Sequence, residues 1–296
     1  MEVAAYVVAP GSLLAGLLYY MGRSYTNAYY AFFGIPVGDL QLSSQSYVSA
    51  SPAAVFLPLW FLLCCGLFVA LVQGPVLSFL ARPQARRLRC RLRLVLAGAG
   101  GVVVLLGFAV FIDPAWLNSA MSRISSPRIR AVLPSLVVAT GTALSFFAFQ
   151  LYRVDGSRAI RRVGRAIRGF LLALLAMSLF FGAARFADQA GSTQADRAAA
   201  DGFRGSGNIH VLIDSSSPIH HDAPGISFYD LGPKYAPFRY QYRGFVLLAK
   251  TASHYYLASR VRRGSDNRDL TVVLPDDNTI RVELLSVADG QSMEMR

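Results

Sequence analysis

Residues 82–112 read RPQARRLRCRLR and then LVLAGAGGVVVLLGFAVFI, an arginine-rich run followed directly by an apolar run. The apolar run contains no charged residue. At about 1.5 Å per helical residue, it is long enough to cross the roughly 30 Å hydrocarbon core of a bilayer. An apolar helix with a basic end is typical of a membrane span whose basic end lies in the cytoplasm.

The composition of the whole chain agrees with a membrane protein. Of its 296 residues, 54% are hydrophobic and 16% are charged, where soluble domains carry roughly 25% charged residues. The net charge of +12 does not indicate nucleic-acid binding. Residues 1–187, the hydrophobic part, hold 17 arginines and four acidic residues, whereas residues 188–296 are almost balanced. The excess of arginine over lysine is typical of a bacterial genome rich in G and C.

Five stretches are long and apolar enough to be transmembrane helices. They are residues 3–21, 53–80, 94–112, 131–152 and 170–187. Small residues at 97–101 in the third span and at 139, 141, 143 and 145 in the fourth have close-packing spacings, which favours packing between helices over a binding site. A removable signal peptide is the alternative for 3–21, but residues 1–5 lack Lys and Arg and no convincing cleavage site follows. We therefore expect a retained first span.

Arginine placement predicts the orientation of these spans. Residues 82–93 and 153–168 carry six arginines each, while the two remaining short loops carry four together. Basic loops stay in the cytoplasm, so the N-terminus is predicted inside and everything beyond residue 187 outside the plasma membrane. Residues 153–168 also form an amphipathic pattern that suits the anionic cytoplasmic leaflet of the lipid bilayer. A partner- or nucleotide-binding basic helix is the alternative for this segment.

The predicted external segment 23–52 is rich in aromatic residues. Tyr25, Tyr29 and Phe33 recur at helical spacing, and Ser43 or Ser44 could cap a helix that passes through Tyr47 into the second span. One interpretation is an aromatic belt at the outer headgroup level. The other is a re-entrant segment that forms the vestibule of a pore.

Part of the chain resembles an uncharacterised family of actinobacterial multi-pass membrane proteins. The resemblance rests on Thr26-Asn27-Ala28-Tyr29, Phe33-Gly34-Ile35-Pro36 and neighbouring positions up to Pro58, and on Tyr242-Arg243-Gly244 and Asp276-Asp277 near the C-terminus. It covers the N-terminal third and about the last sixty residues. Because the family has no known function, the resemblance implies only a multi-pass topology and a bacterial source.

After the last span, residues 188–207 are predicted as a linker and residues 208–296 as an extracytoplasmic antiparallel β domain. Residues 188–201 could also extend the preceding helix. Seven short β-type runs are separated by Pro, Gly, Asn and Asp, at 210–213, 226–229, 238–242, 245–248, 255–258, 270–274 and 280–285. Residues 275–278 predict a hairpin turn between the last two strands. The expected fold is thus a five-helix membrane bundle followed by a small β domain.

Candidate sites for chemistry are few. His210, His220 and His221 are weak candidates for metal ligands or a pH sensor, since no established metal-binding spacing accompanies them. Ser215-Ser216-Ser217 next to Asp214 lacks the sequence context of a hydrolase nucleophile. We therefore predict no enzyme and no cofactor.

The spans contain no acidic, lysine or histidine residue near their middle, which argues against a coupled transporter. A homo-oligomeric channel is the favoured function, because a passive pore needs no such residue. Its candidate pore-lining residues are Thr140, Thr142, Ser145 and Gln150, which otherwise would bond between packed helices. The alternative is a non-catalytic sensor, scaffold or accessory subunit whose β domain binds a ligand or partner.

Overall fold

The computed structural model describes residues 2–80, 86–112, 127–153, 161–203, 208–221, 223–235, 237–259 and 271–285. The chain divides into two compact units. The helical unit comprises Met1–Ser24 and Ser51–Gln189, and the β unit comprises Tyr25–Ala50 and Ala190–Arg296. The β unit therefore includes the aromatic segment that the sequence analysis places among the membrane spans or at their surface.

Five long helices account for most of the described chain. They are α1 (Glu2–Phe32), α2 (Ser44–Leu80), α3 (Arg86–Ile112), α4 (Pro127–Arg153) and α5 (Arg161–Ala200). The predicted start of α2 is confirmed, because Ser43 Oγ accepts the Ser46 backbone N–H at 3.2 Å as an N-cap residue does. Helix α5 continues to Ala200 through most of the predicted linker, and the glycine-rich residues 204–207 lie outside the described residues.

Three of these helices are long and apolar enough to cross a membrane. The candidate spans are Cys90–Ala109 in α3, Val132–Gln150 in α4 and Ala166–Ala200 in α5. A shorter apolar stretch, Pro58–Val69, lies within α2. The chain is therefore a membrane protein by the length and composition of its helices. Residues 82–85 and 154–160 of the two predicted basic loops lie outside the described residues.

Within the helical unit, α3 and α4 pack closely through glycines. The small residues predict such packing between helices, and the structure identifies these two helices as the pair. A Cβ atom on Gly141 would lie 2.8 Å from the Val104 nitrogen and 2.9 Å from the Gly100 carbonyl oxygen, so only glycine allows this approach. Ser178 on α5 donates a hydrogen bond to the Ser135 carbonyl of α4 at 2.6 Å. The helices are thus held by small residues and hydroxyls.

The described residues of the β unit contain one antiparallel sheet of six strands. They are β1 (Ile209–Ser215), β2 (Ser227–Asp230), β3 (Tyr240–Lys250), β4 (His254–Ser259), β5 (Thr271–Pro275) and β6 (Ile280–Leu285). The strand order is β5-β4-β3-β1-β6, and β2 pairs with the first half of β3.

Two details of the predicted sheet need correction. The runs at 238–242 and 245–248 form the single strand β3, in which Gly244 has a φ of 106° and the register with β1 shifts. The predicted hairpin at 275–278 is wrong. Asp277 does form a turn there, accepting the Thr279 N–H at 2.9 Å, but β5 pairs with β4 and β6 pairs with β1. The turn chemistry is local, whereas the choice of strand partner depends on the whole sheet.

Both faces of the sheet have an apolar core. On one face, Val211, Ile213, Tyr242, Phe245, Leu257 and Leu274 pack together. On the other, Val246, Tyr256 and Ala258 pack against a helical layer. That layer is formed by Phe33, Ile35, Leu40, Ala195, Ala199 and Phe203. The segment around Phe33 is therefore part of the hydrophobic core of the β unit.

Candidate functional site

The four residues predicted to form an aromatic belt or vestibule lie within the β unit. Phe33 is 4% exposed, and its ring centroid lies 5.8 Å from that of Phe203 and 5.6 Å from that of Tyr29. Its carbonyl accepts a hydrogen bond from Thr271 Oγ1 at 2.7 Å. Tyr47 is buried and Tyr25 is half-buried, with its carbonyl against Gly191. The aromatic side chains of this segment thus have a packing role in the described structure.

Tyr29 illustrates the effect of this packing on a titratable group. Burial raises the pKa of its hydroxyl to about 12, and the neighbouring Tyr30 and Tyr25 add to the increase. The ring also contacts Tyr30 edge to face, with centroids 5.3 Å apart. The hydroxyl therefore stays neutral at physiological pH.

The four candidate pore-lining residues of α4 differ in their surroundings. Thr142 is fully buried and donates to the Val138 carbonyl at 2.7 Å, while Thr140 is exposed and donates to the Leu136 carbonyl at 2.7 Å. Ser145 donates to the Gly141 carbonyl at 3.0 Å and contacts Gly100. Gln150 is half-buried. The three hydroxyls are thus bonded to the backbone of their own helix.

The candidate histidines lie at the start of the sheet. His210 is on β1, and His220 and His221 follow in the connection to β2. The His221 ring packs edge-on against Tyr242 at 5.7 Å and Phe245 at 5.9 Å. Among the residues that the structure describes, no three His, Cys, Asp or Glu side chains are grouped so that they could hold a metal ion.

The serine run after β1 forms a turn. Ser215 Oγ donates to the Ser217 carbonyl at 2.7 Å and accepts the Ser217 N–H at 3.3 Å. The neighbouring Asp214 is bonded to the Gln241 side chain at 3.1 Å. Both polar groups therefore have partners that suit a structural role.

The exposed side chains of β2 and β3 form the most distinctive surface of the β unit. Phe228 stacks against Tyr240 with centroids 5.9 Å apart and an interplanar angle of 20°, yet it is 51% exposed. Tyr229 is 47% exposed and lies beneath the Arg243 guanidinium, whose Cζ is 5.1 Å from the ring centroid. Tyr229 and Arg243 lie on one face of the strand pair and Phe228 lies on the other, because consecutive residues of a strand alternate between its faces. We refer to these three residues together as the β2 surface.

The β2 surface is predicted only in part from the sequence. The tyrosine and arginine cluster at 235–243 indicates either recognition of an acidic glycan or lipid or an exposed edge strand with solvated charges, and it includes Arg243 but not Phe228 or Tyr229. The residues Gln241 and Arg243 are two apart on a β-type run and therefore share a face of the strand. The spacing does not predict which strand lies beside this one, and Tyr229 contacts Arg243 only because β2 pairs with β3.

An ion pair closes the end of β2. Arg239 Nε and Nη2 donate to the two oxygens of Asp230 at 2.7 and 2.5 Å, a bidentate arrangement. The hydrogen bonds from Arg239 and from the Gly232 N–H lower the pKa of Asp230 from the usual 3.8 to about 2. The pair therefore fixes the turn between β2 and β3 wherever the carboxylate is charged.

Because the folded-state pKa of Asp230 is lowered, its contribution to stability is present above about pH 4 and is lost as the pH falls through about 2. We expect a carboxyl carbon NMR titration of the full chain in micelles to give a midpoint near 2 for Asp230. Arg239→Gln should return the midpoint toward 3.8, while the control Arg281→Gln should leave it unchanged. A midpoint near 3.8 in the unsubstituted protein would show that the pair is not formed in solution.

Comparisons of this chain with protein-family models, with curated proteins and with solved structures find no match.

Proposed function

We propose that this chain is a five-span protein of the bacterial plasma membrane that acts as a non-catalytic scaffold, sensor or accessory subunit. In this proposal the N-terminus is cytoplasmic and the β unit is extracytoplasmic, as the arginine distribution predicts. The first span lies in α1, and the second lies in α2. The resemblance to actinobacterial multi-pass proteins is consistent with this topology and is part of the same proposal.

The observation that carries the proposal is the packing of the segment around Phe33. A vestibule would need aromatic side chains that face a water-filled passage, but Phe33, Ile35 and Leu40 are buried against the sheet. Thr142 and Ser145, near the α3–α4 contact, are likewise engaged within the protein. Thr142 is buried, Ser145 lies against Gly100, and both hydroxyls bond to the backbone of α4. The aromatic segment around Phe33 and the hydroxyls of α4, which favoured a channel, are therefore explained by packing within the protein. The exposed β2 surface is not explained by such packing.

A homo-oligomeric channel is the second candidate, and α2 is the observation that favours it. Phe56, Trp60, Leu63 and Leu67 share one side of α2 and are all more than half exposed, and so are Phe61 and Phe68 on another side. Such a helix needs apolar neighbours beyond this chain, either lipid or another subunit. Helices of neighbouring subunits would provide them in a ring of three or more protomers.

Native mass spectrometry and conductance recording on the full-length protein in lipid nanodiscs and planar bilayers distinguish the two candidates. We expect a monomer, a dimer or a complex with another chain, and no unitary conductance. A closed ring with a conductance would contradict the scaffold. In that case Thr140→Val should alter the conductance, because Thr140 has the exposed hydroxyl, and Thr142→Val should serve as the buried control.

A further inference from the structure

Strand β2 is a short edge strand of four residues that has no proline, bulge or unpaired charge of its own. Its four residues are exposed, and within the described residues its backbone pairs only with β3. Natural edge strands are commonly protected from further pairing by unpaired charges, proline or bulges. Here the single charge, Asp230, is neutralised by Arg239, and the two residues before it are the half-exposed Phe228 and Tyr229. The strand is therefore available for pairing with another chain.

Arg243, which stands opposite Ser227 in this pairing, differs in its partner from three other cations of the β unit. Its Nε and Nη2 donate to Gln241 Oε1 at 3.0 and 2.8 Å, so its direct partner is a neutral amide. Arg239, Lys250 and Arg281 each contact a carboxylate, at 2.5, 3.0 and 2.7 Å. The nearest acid on the Arg243 network is Asp214, which bonds to the far end of the Gln241 amide.

The bonds to Gln241 leave the end of the Arg243 guanidinium available. Of its five N–H groups, two are used by the Gln241 oxygen, and the remaining ones on Nη1 and Nη2 form a planar fork. This fork matches the two oxygens of a carboxylate. The Tyr229 ring and the Gln241 amide already hold the guanidinium. Binding of a ligand would therefore cost little further side-chain entropy of Arg243.

We propose that the β2 surface binds an extended acidic segment of a partner protein, which adds to β2 as a further strand and places a carboxylate on the Arg243 fork. This inference rests on the proposed scaffold function and names its binding surface. Among the described residues, Arg243 has no carboxylate as a direct partner, so a negatively charged partner segment is expected. The free strand edge and the exposed aromatic rings favour a polypeptide over a lipid headgroup or a glycan, since tyrosine and arginine dominate protein hot spots and an edge strand binds backbone.

The probe for this proposal is a short, fluorescently labelled peptide of alternating glutamate and valine. Its binding to the full-length protein in zwitterionic nanodiscs is measured by fluorescence anisotropy. We expect saturable binding that weakens as salt increases, and binding about tenfold weaker for the peptide of alternating glutamine and valine. Equal affinity for the two peptides, or no binding of either, would overturn the proposal.

Variants of the protein assign the binding to the fork. Arg243→Gln should weaken binding about tenfold, and Arg243→Lys should restore little of it because lysine lacks the planar pair of donors. Arg281→Gln is the matched control, because Arg281 is an exposed arginine of the same sheet that is already paired with Glu283. The control should bind the acidic peptide as the unsubstituted protein does. Equal losses at both positions would indicate a general charge effect and overturn the assignment.

Photo-crosslinking in cells separates this inference from the proposed function. A photoreactive amino acid is placed at Phe228 or, as the comparison, at the 64%-exposed Leu284 on β6. The scaffold function and the β2 binding surface are both supported if position 228 crosslinks to an acidic extended segment of an identified protein and if Arg243→Gln abolishes this crosslink. Crosslinking to a protein only from 284 keeps the scaffold function and overturns this surface, and no protein crosslink from either position counts against both. Binding of anionic phosphatidylglycerol vesicles in place of the acidic peptide would make the ligand a membrane and overturn the partner assignment.

Discussion

Replacing Phe33 with alanine is expected to lower the free energy of unfolding of the β unit by about 3–5 kcal/mol, the usual cost of removing a buried phenylalanine ring. The ring is 4% exposed and contacts the rings of Tyr29, Phe32 and Phe203. Its loss would leave a cavity between the helical layer and the sheet. The effect is large because the residue lies in a core, although its sequence position is between two predicted membrane spans.

Hydrogen exchange of the β4 amides measures this effect in the full-length protein, because these amides are protected only while the sheet is folded. Tyr235→Ala is the control, since Tyr235 is an aromatic residue of the same unit that is 61% exposed, and it should change stability by less than about 0.5 kcal/mol. Phe33→Leu should lower the free energy of unfolding by less than Phe33→Ala does. Unchanged β4 protection in Phe33→Ala would mean that the segment does not cover the sheet and would support the belt or vestibule interpretation.

The sequence predicts those parts of the fold that depend on local patterns. Apolar length predicts the candidate spans in α3, α4 and α5, and the Ser43 cap predicts the beginning of α2. Alternation and turn residues predict the positions of all six strands. In each case the signal lies within one helix or one strand, so no knowledge of the tertiary neighbours is needed.

The environment of the segment around Phe33 could not be predicted in the same way. The helical spacing of Tyr25, Tyr29 and Phe33 indicates an aromatic face on the helix. Such a face is compatible with a belt at the lipid headgroups, with a pore wall and with a protein core. What decides among them is a contact between residues far apart in the chain, such as Thr271 Oγ1 with the Phe33 carbonyl. The same limitation applies to Arg243 and Tyr229, which meet only through strand pairing.

Replacing Gly141 with alanine is expected to destabilise the α3–α4 pair by about 1–3 kcal/mol, as overpacking of a tight contact does. The added Cβ atom would approach the Val104 nitrogen and the Gly100 carbonyl oxygen, and these backbone atoms cannot move without separating the helices. The matched substitution Gly98→Ala adds the same atom to α3 at a place where nothing lies within 4 Å. Since alanine favours helix over glycine by up to about 1 kcal/mol, Gly98→Ala should be neutral or stabilising.

Unfolding of the two variants in mixed detergent micelles tests this difference in sign, and the result also bears on the pore. If α3 and α4 are in permanent contact at Gly141, water cannot pass along that face of α4, and Thr142 and Ser145 on it serve the packing. Equal stabilities for the two alanine variants would instead mean that this contact opens readily. The buried hydroxyl of Thr142 could then face a passage, and the channel would become the better explanation of α4.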